Sequence, residues 1–336
     1  MFAMHFPMKK QVIFLLAFFS VYLLNGQNRP VQPVTEGTIT NLYDAFGKND
    51  DLSQDFGFSC ILKYHGKTIL FDAGSNAEIF KNNVEKLGFD LRTVDVAIIS
   101  HSHFDHLNGM DYLLEANPNV KIYMPYDIFW GAPAPFDATG QESSVKDSLP
   151  EYMRYFQGGD TKFQINQTGR FWNAHVEYVK TSKEILPGMH LVATNSPYMG
   201  YFISYPGKSF VPGQFEQNDQ SRYRYTNLPE LSLSLSTGEG EVIITGCSHS
   251  GVENIIREAK NFTQQPIKLV YGGFHLLPFD RQQVSQIADL IKNELGVAKV
   301  APAHCTGHLG FKVFKDLYKE NYLFAGLGET ISFENP

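Results

Sequence analysis

His101-Ser102-His103-Phe104-Asp105-His106 follows directly on the apolar run Val94-Asp95-Val96-Ala97-Ile98-Ile99-Ser100, and these two stretches decide how the chain is read. The run has the composition of a buried strand, so the six residues form the loop at its end. Three imidazoles and a carboxylate at such density make chemical sense where the backbone wraps a metal. Neutral imidazole nitrogen and carboxylate oxygen are both ligands that Zn2+ accepts. In extended chain, residues i and i+2 point to the same side, so His101 and His103 can grip one ion. Asp105 and His106, one turn later, can face a second.

Other segments carry the pattern further. Thr68-Ile69-Leu70-Phe71-Asp72-Ala73-Gly74 reads as a strand ending in an aspartate. Gly246-Cys247-Ser248-His249-Ser250-Gly251, Gly272-Gly273-Phe274-His275-Leu276 and Pro302-Ala303-His304-Cys305-Thr306-Gly307 each place a histidine just past an apolar run. The pattern His-x-His-x-Asp-His after a hydrophobic strand, followed by these segments in this order, resembles the metallo-β-lactamase superfamily. The last three are similar to its dihydropteroate-synthase-like branch, that of the 7,8-dihydropterin-6-yl-methyl-4-(β-D-ribofuranosyl)aminobenzene 5'-phosphate synthases. The resemblance spans most of the chain.

What the resemblance implies is a four-layer αββα sandwich of α/β (α+β) class. It also implies a dinuclear centre, with His101, His103 and His249 on one ion and Asp105, His106 and His304 on the other. Two metals about 3.5 Å apart activate a water and stabilise developing oxyanion charge. Asp105, by family analogy, orients that water. Asp72 either holds a metal-loop histidine in its tautomer or forms the turn before Ala73-Gly74. Imidazole and carboxylate also serve iron and manganese, so zinc is the expected cofactor without being the sole one.

The chain departs from the family pattern at one point. Most members carry an acidic or thiolate ligand where this sequence has Gly246-Cys247-Ser248-His249, so the bridging carboxylate is missing. Three alternatives stay open: Cys247 ligates, as a soft thiolate does well for zinc; a water bridges; or one site is weak. His275 is open in the same way, as a ligand, a hydrogen-bond donor to a substrate oxyanion, or a satisfied buried histidine. His308 is expected to cap the following helix or to contact substrate.

The bulk properties set the frame. The chain has 336 residues, 43% hydrophobic and 19% charged, as expected of one large globular domain. Its net charge of −7 argues against a nucleic-acid partner. Lys9-Lys10 and the run from Gln11 to Leu24 have the form of a secretory signal, with Asn25-Gly26-Gln27 as a cleavage zone and Met8 as an alternative start. The run is short of the roughly 20 residues that span a bilayer. Residues 1–26 are therefore read as a signal peptide, and the mature protein as exported, periplasmic or extracellular, without a stable membrane span. Cys60, Cys247 and Cys305 are odd in number, and two of them sit beside candidate ligands, so no disulfide framework is expected.

Residues 27–38 read as a flexible leader and 39–336 as the metallo-β-lactamase-fold domain. Within it, a hairpin precedes a helix over 76–87, then come the metal loop and a strand over 120–124. Residues 126–230 break the strand–helix rhythm with many Pro, Gly and aromatic residues, and are expected to be an insertion that caps the site. Within that stretch, residues 184–192 resemble a strand–turn–strand of the branch named above, which implies that His190 is a strand residue and not a ligand. Leu231-Ser232-Leu233-Ser234-Leu235-Ser236 alternates with period two and predicts a hairpin with one buried face. Helices follow over 252–262 and 284–295. Three functions fit: a metal-dependent hydrolase acting on an ester, lactone or phosphoester of a small molecule; a dihydropterin-type synthase; or a metal-dependent binding or sensing module. The oligomeric state is not encoded in any motif.

Overall fold

The computed structural model describes residues 36–126, 135–139, 148, 150–153, 162–166, 174–196 and 228–334. In chain order the strands are β1 (Glu36–Tyr43), β2 (Ser59–Tyr64), β3 (Lys67–Phe71), β4 (Val96–Ile98), β5 (Lys121–Pro125), β6 (Pro135–Thr139), β7 (Lys162–Asn166) and β8 (His175–Val179). They continue as β9 (Lys183–Leu186), β10 (Met189–Ser196), β11 (Leu228–Thr237), β12 (Gly240–Thr245), β13 (Ile267–Gly273), β14 (Lys299–Ala303) and β15 (Thr330–Glu334). The main helices are α1 (Ala77–Lys86), α2 (Met110–Ala116), α3 (Val252–Thr263), α4 (Arg281–Asp289) and α5 (Gly307–Tyr318).

Two mixed sheets face each other. One has the order β15-β1-β2-β3-β4-β5-β8 and the other β14-β13-β12-β11-β10-β9, while β6 and β7 pair separately. Side chains alternating along each strand are shared between two cores. Cys60, Leu62, Ile69, Phe71, Val96 and Ile98 meet Leu231, Leu233, Val242, Ile244 and Tyr271 between the sheets. Ile61, Leu70 and Ala97 point the other way, against Phe80, Val84, Met110 and Leu113 of α1 and α2. On the far side, Ile243 and Val270 pack against Val252, Ile255 and Ile256 of α3, Val284 of α4 and Phe314 of α5. This is the αββα sandwich. Strands buried on both faces explain the near-continuous apolar runs of the sequence.

Local chemistry sets the helix ends. Asn76 caps α1 by accepting from the backbone of Glu78 and Ile79, and Gly88 beyond its end takes a φ of 74°. Asp280 and Gln283 form a capping box on α4, which starts three residues earlier than the spacing predicts. The chain then passes through a π-turn over Leu290–Glu294.

Two expectations are modified. The Leu–Ser alternation of β11 does not have a solvent face: Ser232 and Ser234 are as buried as the leucines. The hydroxyls of Ser234 and Ser236 donate to the buried Glu241 carboxylate, at 2.5 and 2.7 Å. Each buried leucine contributes about 1.5–3 kcal/mol and a hydrogen bond about 0.5–1.5 kcal/mol, so the leucines set the register and the serines avoid a penalty. The second change concerns residues 126–230. Residues 174–196 within that stretch supply β8 to one sheet and β9 and β10 to the other. β8 is an edge strand with mostly half-buried side chains, which is why its sequence lacks a core signature. Phe129, Trp130, Tyr155, Phe156, Tyr198, Tyr201, Phe202, Tyr205, Tyr223 and Tyr225 lie outside the described residues, as does the expected signal segment 1–26. β1 begins at Glu36, inside the expected leader, because it pairs from there with β15. No helix among the described residues is long and apolar enough to cross a membrane.

β3, β4 and β5 run parallel, as do β12, β13 and β14. The carboxyl ends of both sets open on one edge of the sandwich, where open sheets place their ligands.

Candidate metal centre

Asp72 organises this edge. Its Oδ1 accepts from Ser100 N and its Oδ2 from Ser100 Oγ, both at 2.7 Å, and Oδ2 lies 2.7 Å from His106 Nδ1. These bonds fix two tautomers. A carboxylate only accepts, so His106 carries its proton on Nδ1 and leaves a lone pair on Nε2. Ser100 spends its single hydrogen on Asp72, so it accepts from His101 Nδ1 at 2.8 Å, and His101 Nε2 also presents a lone pair. Both lone pairs face the same cluster.

The chain reaches this geometry through residues in the left-handed region. Asp72 after β3, Ser248 after β12, His275 after β13 and His304 after β14 have φ of 57°, 69°, 49° and 46°. Non-glycine residues pay about 1–3 kcal/mol for such conformations, which persist where surrounding contacts over-determine them. Here each one turns the chain sharply at the end of a strand that reaches the site.

The histidines converge as two groups. His101 Nε2 is 3.1 Å from His103 Nδ1 and 3.2 Å from His249 Nε2. Burial first, and then the neighbouring imidazoles, push His101 and His249 well below the ordinary histidine value, so neutral rings meet. In the second group, His106 Nε2 lies 3.1 Å from Cys247 Sγ and 3.6 Å from Asp105 Oδ2, which is 3.4 Å from His304 Nε2. Burial raises Asp105, but His106, His304 and His103 outweigh it and hold the carboxyl well below its usual range. Burial pulls His304 down, yet Cys305, Asp105 and Asp44 together push it up to about 9. The ligand atoms of Asp105, His106, Cys247 and His304 lie within 4.8 Å of one another, and so do those of His101, Cys247 and His249.

These residues fit a metal. His304 Nδ1 is buried without a hydrogen bond, and its Nε2 has only the long approach to Asp105. The surroundings that hold a proton on His304 would equally hold a divalent cation. His101 Nε2, with His103 Nδ1 at 3.1 Å and His249 Nε2 at 3.2 Å, completes a set of imidazole nitrogens of the kind that holds a divalent ion.

Two residues escaped the sequence reading. Glu230 is buried, and its carboxylate accepts from His249 N, Ser250 N and Ser250 Oγ, each at 2.7 Å. Asp44 is buried, and Oδ2 accepts from His304 N at 3.0 Å while Oδ1 accepts from Ala45 N. Burial raises the Asp44 carboxyl to about 7. Each holds the backbone of a candidate ligand histidine from across the fold, so no local pattern announces either one.

His275 is half-buried, its ring centroid 4.2 Å from that of His249, and one of its ring nitrogens lies within 4.8 Å of the Cys247 and Cys305 sulfurs. The Cys305 thiol donates to Cys247 O at 3.4 Å, and all three cysteines are unpaired and buried. His308 is exposed in the first turn of α5. His190 is a β10 residue 3.8 Å from Glu241, away from this cluster. The rim is apolar: Phe104 is 66% exposed within the metal loop, Leu277 is 53% exposed, and Phe56 is 49% exposed with its ring 4.8 Å from that of His304.

Sequence comparisons agree with this arrangement. The family model described as the metallo-beta-lactamase superfamily matches residues 53–176, which include Asp72 and the whole metal loop. The 7,8-dihydropterin-6-methyl-4-(beta-D-ribofuranosyl)-aminobenzene-5'-phosphate synthase of Methanocaldococcus jannaschii is 26% identical over 86% of this chain and 94% of its own length. An uncharacterised protein of the same organism is 27% identical over 82% of this chain and 92% of its own. Among solved structures, a metal-dependent hydrolase of the beta-lactamase superfamily superposes with a TM-score of 0.62 at 25% identity, covering 89% of this chain and 100% of that one.

Proposed function

We propose that the chain, which resembles the metallo-β-lactamase superfamily in fold and sequence pattern, is an exported metal-dependent hydrolase of small-molecule esters, lactones or phosphoesters. The observation that carries this reading is the convergence of two ligand groups at the carboxyl ends of both sheets. His101, His103 and His249 would hold one ion, and Asp105, His106 and His304 the other. A bound pair of divalent ions supplies Lewis acidity at the reacting bond and lowers the pKa of an attacking water.

The chain's own residues do the rest. Asp72 keeps the Nε2 lone pairs of His101 and His106 turned inward. Asp105, held ionised, accepts a hydrogen bond from the attacking water and orients it. His275 donates to the oxygen on which charge develops. Phe56, Phe104 and Leu277 bind the apolar part of the substrate and keep bulk water from the reacting bond.

The test is a panel of chromogenic esters, lactones and phosphodiesters. Turnover should vanish on chelation, return with zinc, and fall about 10²–10⁴-fold in Asp105→Ala. A zinc-loaded protein that turns over none of them would move the reading to a binding module. The likeness over nearly the full length of the archaeal synthase favours a second reading, a transferase joining a dihydropterin methyl group to an aminobenzene phosphate. Cell fractionation separates the two. Lys9-Lys10 and the apolar run after them support export, and a protein retained in the cytoplasm would favour the synthase.

A further inference from the structure

Three groups of potential ligands among the described residues share one atom, Cys247 Sγ. It lies with Asp105, His106 and His304 in one, with His101 and His249 in another, and with His275 and Cys305 in the third. It is 3.1 Å from His106 Nε2, the nitrogen that Asp72 leaves with a lone pair. We propose that Cys247 is a bridging thiolate ligand of both ions, standing where the superfamily pattern has a carboxylate.

The backbone is built to deliver this sulfur. Gly246 runs so close to the metal loop that a Cβ there would lie 2.2 Å from Ser100 Oγ and 3.0 Å from Asp72 Oδ2. That contact presses the end of β12 against the residues that orient His101 and His106, and the next side chain enters between the two groups. Across the strand, a Cβ on Gly273 would meet Gly246 O at 2.3 Å and Cys305 Sγ at 2.9 Å, so β13 packs as tightly from the other side. Cys247 is 4% exposed, which keeps competing water away.

With this assignment each ion has four protein ligands: His101, His103, His249 and Cys247 for one, and Asp105, His106, His304 and Cys247 for the other. A shared thiolate selects zinc, cobalt(II) or iron(II) over magnesium, calcium or manganese. No oxidation is involved. Loading the centre breaks the Cys247 S–H bond, forms the metal–sulfur bonds, and releases the thiol proton to solvent. The inference rests on the metal centre of the proposed function and is independent of the substrate.

The test is a cobalt(II) titration of the full-length, metal-stripped protein, followed by near-ultraviolet absorption. Wild type should take up two cobalt ions and develop an intense sulfur-to-cobalt charge-transfer band. Cys247→Ser should lose the band and bind both ions more weakly, while Cys305→Ser keeps the band. Cys247→Asp provides a carboxylate bridge in place of the thiolate and should hold two ions without the band, which separates loss of the ligand from loss of the fold. Two bound cobalt ions with no band in wild type would overturn the thiolate, and so would a band that survives in Cys247→Ser. Weakening of only one ion in Cys247→Ser would overturn the bridge. A wild-type chain that binds no cobalt would sink the metal-dependent reading itself.

Discussion

The metal loop at His101–His106 and the separate histidines His249 and His304 reach the same point by different means. The loop brings four donors on one continuous turn, and a single carboxylate, Asp72, serves both His101 and His106 through their side chains. His249 and His304 arrive singly from the opposite sheet. Each is held by its backbone amide, one by Glu230 and the other by Asp44, residues 19 and 260 positions away in sequence. A contiguous motif can be oriented from one place, whereas dispersed ligands need one anchor apiece. Damage to Asp72 should therefore be felt by both ions, and damage to Glu230 or Asp44 by one.

The largest effect tests whether the loop carries the chemistry. Asp105→Ala should lower hydrolysis about 10²–10⁴-fold, measured as kcat/KM on the best substrate of the panel. Next comes the shared anchor. Asp72→Asn puts an amide donor where two acceptor oxygens are needed, and chelator competition should show the affinity for both ions reduced about 10–100-fold. The single anchors should each cost less. Glu230→Gln should weaken only the ion that takes His249, and Asp44→Asn only the ion that takes His304, by about 10-fold. Equal weakening of both ions in either variant would break the comparison. The smallest effect lies at the rim, where Phe104→Ser should raise KM while leaving thermal stability within about 0.5 kcal/mol of wild type, because that ring is mostly exposed.

The same contrast explains what could be read in advance. The sandwich was legible through the family resemblance carried by His101–His106 and the later histidine segments, while spacing alone marked single elements, such as the Val252, Ile255, Ile256 and Ala259 that α3 buries. The metal loop was legible because its donors are adjacent. Glu230 was not, since an acid at the start of a strand looks like a solvated end until β11 is seen to pair with β10 and β12 and to bring its carboxylate under His249. Asp44 was hidden for the same reason, following β1 and acting on the residue after β14. β8 escaped because an edge strand has little core to write into its sequence. The place of Cys247 between the two groups depends on how closely Gly246 meets Ser100, a contact between opposite sheets that no local spacing encodes.

The most direct test of the dinuclear centre is elemental analysis of protein purified without added metal, in wild type and in His249→Ala. Two zinc ions per chain in wild type, falling to one in the variant, are what two groups of ligands with separate anchors predict. One ion or none in wild type would contradict the account.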